Sequence, residues 1–327
     1  MKLWLEQRHL DLKVNWKLSR NQTTFKENFI VHLETPSGTF RSEIAPNIRY
    51  EESPEKIQQQ FAHWLSKTDL AAVKDPASLL NAISSEKLYH SLSFGIESAF
   101  IGYLASKNNQ SITQYLDLPP IRPLETSFSM PITAVGEIEE YLRPLKRFHS
   151  LKIKVDANCG LEMLQEIVKH TSVKLRVDAN EGWKDLDQFM RFQENLDGMN
   201  IELIEQPFPS SMVEEYKILR KNTPYVLLAD ESIEDVGNFS DLALQFHAVN
   251  IKLMKTGSLI KARDLLLKAR AHHLKSMIGC MIETSVGISY GMLFGGMVDY
   301  VDLDGFLLVK DEPFNLVSEA EGILKLN

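Results

Sequence analysis

Leu151-Lys-Ile-Lys-Val-Asp156 and Val173-Lys-Leu-Arg-Val-Asp178 repeat one pattern, a short apolar run that closes on charge. It returns as Ile201-Glu-Leu-Ile-Glu205, Val226-Leu-Leu-Ala-Asp230 and Ala248-Val-Asn-Ile-Lys-Leu253. From Lys154 through Asp178, Glu205 and Asp230 to Lys252 the intervals are 24, 27, 25 and 22 residues. A further run, Ser276-Met-Ile-Gly-Cys-Met-Ile282, begins 24 residues after Lys252. Between the runs, residues 162–170, 186–196, 212–221 and 260–272 carry apolar side chains at helical spacing. A period near 25 in which strand alternates with helix predicts right-handed βα units. Six or more in succession favour an α/β protein built as a (β/α) barrel. An open doubly wound sheet would need a glycine-rich phosphate turn after its first strand, and this chain has none.

Upstream the rhythm differs. Residues 3–13 and 28–34 alternate like strands, and the turn Pro36-Ser37-Gly38 joins the second to 39–44. Helical patterns follow over 54–65, opened by Ser53 as a cap, and over 76–85 and 95–105. Pro119, Pro120 and Pro123 break the pattern within 117–125. The expected division is an α+β domain over residues 1–125, the barrel over 126–305, and a C-terminal tail over 306–327.

The composition agrees with a large folded core. The 327 residues are 44% hydrophobic and 24% charged, which excludes a disordered chain, a collagen and a small disulfide scaffold. With 36 Lys plus Arg against 44 Asp plus Glu, the net charge of −8 argues against a nucleic-acid partner, which a basic stripe would track. Cys159 and Cys280, 121 positions apart and without metal-ligand spacing, read as two reduced thiols. The first residues carry charge every few positions and lack the apolar stretch of a signal peptide. Residues 277–298 imitate a membrane helix, with Glu283 as their single charge and Gly287, Gly291 and Gly295 at four-residue spacing. Their place in the βα series assigns them instead to a buried strand, a loop and a helix packed on the sheet. The expectation is a cytoplasmic protein without a membrane partner. No surface strip announces an oligomer, and a homo-oligomer is compatible with the pattern.

The organisation also places the chemistry. Barrel active sites lie at the C-terminal ends of the strands, and Lys152, Lys154, Asp178, Glu205, Asp230 and Lys252 all fall at such ends. Individually Asp178 could belong to a turn, Glu205 to a strand stop before Gln206-Pro207, and Asp230 to a helix cap. Taken together, charges converging on a narrow, filled lumen must be paired or bound to something. Three carboxylates from adjacent strands suit a hard divalent cation such as Mg²⁺. Lys152 and Lys154, two apart on one strand, share its lumen face, and Lys252 arrives four strands later, across the site. Two lysines on opposite sides of a bound carboxylate are what proton transfer at a stereocentre requires. Crowded positive charge is expected to lower the lysine pKa values and free one amine to act as base.

The motifs Leu-Lys-Ile-Lys-Val-Asp (151–156), Leu-Arg-Val-Asp-Ala-Asn-Glu-Gly-Trp (175–183), Ile-Glu-Gln-Pro (204–207), Ala-Asp-Glu-Ser (229–232) and Asn-Ile-Lys-Leu-Met-Lys-Thr-Gly-Ser (250–258) resemble the muconate-lactonizing-enzyme subgroup of the enolase superfamily. The resemblance covers the whole chain. It implies a modified (β/α)₇β TIM-type barrel, an N-terminal capping domain and a tail that returns to the cap. It further implies Lys154 and Lys252 as the acid/base pair, with Lys152 near the substrate carboxylate. Asp178, Glu205 and Asp230 would hold one Mg²⁺ per subunit. Ser258 departs from the family pattern, which usually has a second glycine after Gly257.

Within the subgroup, Tyr300-Val-Asp-Leu-Asp-Gly305 points to the substrate. Asp302 and Asp304, two apart, share a strand face, and a pair of carboxylates at the mouth would hold an ammonium group. The D-x-D motif resembles that of the dipeptide epimerases, implying capture of the free α-amino group of an N-terminal alanine. Taken alone, the motif could equally be a hydrated strand end. By the same resemblance Arg20 falls where such an epimerase places its glutamate-binding arginine, and Ser129 near the bound dipeptide; Ile44 and residues 46–50 are expected to form the other lid loop. The leading expectation is therefore an isomerase, a Mg²⁺-dependent epimerase of Ala-Xaa dipeptides. A lyase or cycloisomerase of the o-succinylbenzoate synthase or muconate cycloisomerase type would use the same lysines and metal but has no evident use for Asp302 and Asp304. A non-catalytic dipeptide-binding protein would need no lysine on each face. Sugar-acid dehydratases would place a histidine in the seventh strand, where this chain reads Ser-Met-Ile-Gly-Cys-Met.

Overall fold

The computed structural model describes residues 1–19 and 21–327, and among them the strands form three sheets. The first is antiparallel: β1 (Lys2–Lys17), β2 (Gln22–Thr35) and β3 (Gly38–Ile44). The hairpin turns at Gly38, whose φ of 132° lies where a side chain would be strained. Helices Pro54–Lys67, Pro76–Ser84 and His90–Lys107 complete this region, and Ser53 caps the first by accepting from the Lys56 N–H. The last is buried along most of its length, so it shows no amphipathic stripe. It is overlaid by β3 on one side and by the barrel on the other, as an internal helix must be.

After β4 (Leu124–Glu125) comes the parallel sheet: β5 (Phe128–Met130), β6 (Ser150–Lys154), β7 (Lys174–Asp178), β8 (Ile201–Glu205), β9 (Val226–Ala229), β10 (Ala248–Lys252), β11 (Lys275–Gly279) and β12 (Tyr300–Asp302). The eight strands pair in sequence order, as expected when every βα crossover has the same hand. The ends of the series nearly close the barrel. The Ser127 N–H donates to the Val301 carbonyl at 3.3 Å, and the Leu303 N–H to Thr126 Oγ1 at 2.9 Å. Residues 277–298 resolve as strand β11, a loop and the helix Ser285–Met292, with Gly291 against Leu303 and Gly295 against Leu124. A Cβ at Gly295 would lie 2.3 Å from Leu124 Cδ2, so the glycine stripe serves close packing. No helix among the described residues is long and apolar enough to cross a membrane.

The third sheet pairs β13 (Val317–Ala320) with β14 (Ile323–Leu326), and β14 with β4. Just before it the chain touches β1: Leu12 bridges Val309, and the Lys310 N–H donates to the Asp11 carbonyl at 2.9 Å. Inside the barrel, Leu203, Leu228, Ala248, Met277 and Tyr300 form a separate apolar cluster. It lies beneath the charged strand ends, with the Arg176 guanidinium 5.4 Å from the Tyr300 ring centroid, and such apolar surface raises the cost of an unpaired charge beside it.

Candidate active site

Lys152, Lys154, Asp178, Glu205, Asp230 and Lys252 all meet at the C-terminal rim and are all buried. Strand alternation turns both β6 lysines inward. Lys152 Nζ lies 3.0 Å from Asp178 Oδ2, 2.8 Å from Glu205 Oε2 and 2.8 Å from Asp302 Oδ2. Lys154 Nζ donates to Asp178 Oδ2 at 2.5 Å, and Lys252 Nζ to Asp230 Oδ2 at 2.8 Å. The two lysines assigned to proton transfer thus sit on different carboxylates, from strands β6 and β10, and line one cavity of about 390 Å³.

Local sequence explains how the rim is held. Asp178 ends β7, and its Oδ1 accepts the Asn180 N–H at 3.1 Å, while Asn180 and Glu181 take left-handed φ of 44° and 63°. The Asp-Ala-Asn-Glu-Gly stretch is therefore a turn whose first residue reaches the rim. Gln206, also left-handed, accepts the Asp230 N–H at 2.9 Å on Oε1 and donates from Nε2 to Tyr216 and Ser232. Three partners not anticipated from the sequence complete the cluster. Lys255 Nζ donates to Asp230 Oδ1 at 2.5 Å; Asn250 Nδ2 donates to Glu205 Oε1 at 2.9 Å; Arg176 Nη1 donates to Ser127 Oγ at 3.2 Å. The signal for Asn250 is its place two before Lys252 on β10, which gives it the same face. Lys255 lies beyond the strand, in the turn Leu253–Thr256, where no strand alternation sets the direction of its side chain.

The electrostatics correct one expectation. Crowded cations were expected to lower the lysine pKa values, yet Lys152 and Lys252 are both held above the ordinary range. Burial opposes the charge on Lys152, but Asp178, Asp302 and Glu205 outweigh it. For Lys252, burial is outweighed chiefly by Asp230. The carboxylates respond in kind. Burial raises Asp178, but Lys152 and Lys154 bring it down to about 2. Burial is also overcome at Asp230, by Lys252 and Lys255, and its pKa falls well below the usual range. Glu205 is pushed up to about 7, by burial and then by Asp178.

Among the described residues no three His, Cys, Asp or Glu side chains are gathered closely enough to hold a metal ion as they stand. The donor chemistry nevertheless fits a hard divalent cation. Three buried carboxylates end adjacent strands, and ammonium groups supply their counter-charge. Glu205 Oε2 accepts no aligned hydrogen bond, although Lys152 Nζ lies 2.8 Å away; an ion pair outside hydrogen-bonding geometry leaves a lone pair free for a cation.

Asp302 and Asp304 both line the cavity, though not by strand alternation: β12 ends at Asp302, and Asp304 has helical dihedrals ahead of the short helix Gly305–Leu308. Asp302 Oδ1 accepts from Ser127 Oγ at 2.7 Å, and Asp304 Oδ2 from the Ser129 N–H at 2.5 Å. Burial and the neighbouring Asp302 raise Asp304 to about 7. Ser129 lines the cavity as well, and residues 46–50 roof it, whereas Ile44 ends β3 and is fully buried in the core instead of joining the loop. From the roof, Arg49 Nη2 reaches Glu181 Oε2 at 3.1 Å. Arg20 lies outside the described residues.

A capped parallel barrel with lysines and carboxylates facing across its C-terminal mouth defines an enzyme of the (β/α)-barrel class. The family described as "Enolase C-terminal domain-like" matches residues 136–310. An L-Ala-D/L-amino acid epimerase of Pedosphaera parvula is 32% identical over 99% of this chain and 95% of its own length. An L-Ala-D/L-Glu epimerase of Bacteroides thetaiotaomicron is 35% identical over 180 residues, a match spanning 55% of this chain and 47% of that relative. Among solved structures, the substrate-liganded L-Ala-D/L-Glu epimerase of Bacillus subtilis superposes with a TM-score of 0.91 at 26% identity, covering 100% of this chain and 96% of the other. The chain belongs to the enolase superfamily, and among its members it is an isomerase.

Proposed function

We propose that the protein is a Mg²⁺-dependent dipeptide epimerase that inverts the α-carbon of the C-terminal residue of Ala-Xaa dipeptides by two-lysine proton transfer. The observation that carries this is the placement of Lys154 and Lys252 on opposite sides of one cavity, each beside its own carboxylate. Asp178, Glu205 and Asp230 are the residues that would hold the ion, one per subunit. When bound, Mg²⁺ supplies positive charge against the negative charge that develops on the substrate carboxylate.

The protein's own residues do the rest. One lysine, as the free amine, takes the α-proton; the bonding pair moves toward the substrate carboxylate. The other lysine, as ammonium, returns a proton to the opposite face. One proton is removed and one delivered, so the two lysines exchange protonation states and the reverse reaction uses them in the opposite order. Lys152, ringed by Asp178, Glu205 and Asp302, stays charged and adds fixed positive charge beside the carboxylate. Asp302 and Asp304 accept the substrate ammonium group, with Ser129 beside them. The names of the Pedosphaera and Bacillus relatives support a dipeptide substrate.

In this reading residues 1–125 are the cap, 126–305 the catalytic barrel and 306–327 a tail that contacts β1 of the cap. The free thiols Cys159 and Cys280 suit a cytoplasmic setting. The deciding experiment incubates the protein with Mg²⁺ and Ala-Xaa dipeptides in D₂O and follows the α-proton and chirality by NMR. Exchange that stops on chelation is expected. No exchange with any dipeptide, or exchange indifferent to chelation, overturns the proposal.

A further inference from the structure

The strand that carries Asp302 is too short to hold it alone. β12 is three residues long, Asp302 is its last, and the chain turns soon afterwards into the short helix Gly305–Leu308. What fixes Asp302 comes from other parts of the barrel. The Ser127 N–H and Arg176 Nη1 both donate to the Val301 carbonyl just before it, at 3.3 and 2.7 Å. The Leu303 N–H just after it donates to Thr126 Oγ1 at 2.9 Å. Its own Oδ1 accepts from Ser127 Oγ at 2.7 Å, and its Oδ2 from Lys152 Nζ at 2.8 Å. Asp302 is thus held at a peptide group on either side and at both carboxylate oxygens.

Arg176 comes to this seam from β7, where it stands two residues before Asp178 on the same strand face, in register with Lys152 on β6. Its Nε donates to Glu202 Oε2 on β8 at 2.7 Å, and its Nη1 forks to the Val301 carbonyl and, at 3.2 Å, to Ser127 Oγ. Glu202 and the Val301 carbonyl would be enough to seat an arginine that only closes the barrel. The bond to Ser127 leads further, and its direction is forced. Guanidinium N–H groups only donate, so the Ser127 oxygen accepts from Arg176 and its own hydrogen goes to Asp302 Oδ1. Ser127 is wholly buried and Arg176 nearly so, which keeps the chain Glu202–Arg176–Ser127–Asp302 out of solvent. Its effect shows in the two aspartates. Burial raises the Asp302 pKa, but Lys152, then the Ser127 hydrogen bond and the Arg176 charge, bring it below the usual range. Asp304, which has no such chain, is pushed up to about 7.

We infer that Arg176 and Ser127 are positioning residues for substrate capture, holding the Asp302 carboxylate aimed at the dipeptide ammonium through one directed hydrogen-bond chain. The inference rests on the epimerase reading, in which Asp302 accepts that ammonium. The test is steady-state kinetics, on the Ala-Xaa dipeptide with the highest turnover, of the wild type, Ser127→Ala, Arg176→Lys, Asp302→Asn and the two double variants with Asp302→Asn. Ser127→Ala should raise KM about fivefold with kcat within about twofold. That is less than the change for Asp302→Asn, because Lys152 still holds Oδ2. Arg176→Lys should raise KM as well, since one ammonium cannot span Glu202, Val301 and Ser127 as the planar fork does. In the Asp302→Asn background neither substitution should move KM by more than about twofold, because residues that act through one partner are not additive. A merely structural role would show the same loss in both backgrounds. An unchanged KM in Ser127→Ala and Arg176→Lys, a loss confined to kcat, or equal losses with and without the Asp302 carboxylate overturns the inference and leaves the epimerase reading intact. A wild type that turns over no Ala-Xaa dipeptide overturns the epimerase reading, and the inference with it.

Discussion

Replacing Lys255 by Met tests whether the rim is held together as its contacts suggest. Lys255 is 1% exposed, and its Nζ donates to Asp230 Oδ1 at 2.5 Å, to the Asp230 carbonyl at 2.6 Å and to the Ile233 carbonyl at 3.0 Å. Methionine keeps the volume and the flexible stem but takes the donor from Asp230 Oδ1 and the Ile233 carbonyl, while the Asp230 carbonyl keeps the Ile233 N–H at 3.2 Å. Removing one member of a buried ion pair costs about 3–5 kcal/mol. The low end applies here, because Lys252 remains 2.8 Å from Asp230 and still neutralises it. The methionine also avoids the lysine's desolvation. The expected loss is therefore about 3 kcal/mol, read as a lower midpoint of urea unfolding at unchanged m. Lys261→Met is the control, since Lys261 pairs with Asp235 at 3.0 Å in an exposed setting, where such a pair contributes under about 1 kcal/mol. A Lys255→Met protein within about 1 kcal/mol of wild type, or no less stable than Lys261→Met, would refute the reasoning.

Lys154→Ala and Lys252→Ala should each abolish epimerisation, because each face of the substrate needs its own acid/base; chirality measurements showing full turnover by either variant would end the two-base assignment. Asp302→Asn should raise KM for a dipeptide about tenfold with a smaller change in kcat, and steady-state kinetics with an unchanged KM would remove the ammonium role. Glu283 offers a pH test away from the rim, where burial and then Glu43 raise its pKa to about 8. Between its unfolded pKa and that value the folded state holds a proton that the unfolded state has released, so this contribution to stability is full in acid and is lost as pH rises through about 8. Urea unfolding at pH values on either side should show a fall in the wild type that Glu283→Gln lacks, and parallel profiles would count against it.

The cap and barrel are joined by carboxylates whose role could not be read along the chain. Glu43, on β3, accepts from the Thr284 N–H at 2.9 Å and the Gly287 N–H at 2.9 Å, capping the start of helix Ser285–Met292. Glu97 accepts from Ser258 Oγ at 2.6 Å, so the serine that departs from the family pattern is where a cap helix grips the barrel. A Cβ at Gly287 would lie 2.2 Å from Glu283 Oε2, which ties that glycine to a charge cluster as well as to helix packing. Lys255 escapes notice in the sequence for a related reason. A single lysine in a polar segment looks solvated until its neighbours in space are known.

Sequence alone was sufficient for the barrel, for the order of its strands and for the rim residues Lys152, Lys154, Asp178, Glu205, Asp230 and Lys252. Those follow from periodicity: strand alternation sets the face, and the strand end sets the position along the barrel axis. Tertiary structure decided what those side chains meet. It placed Lys152 among three carboxylates and reversed the expected direction of the lysine pKa shifts. It also brought Asp304 to the cavity from outside the strand. Such properties depend on distances and burial between residues far apart in the chain, and electrostatic energy in a dry interior varies with those quantities alone.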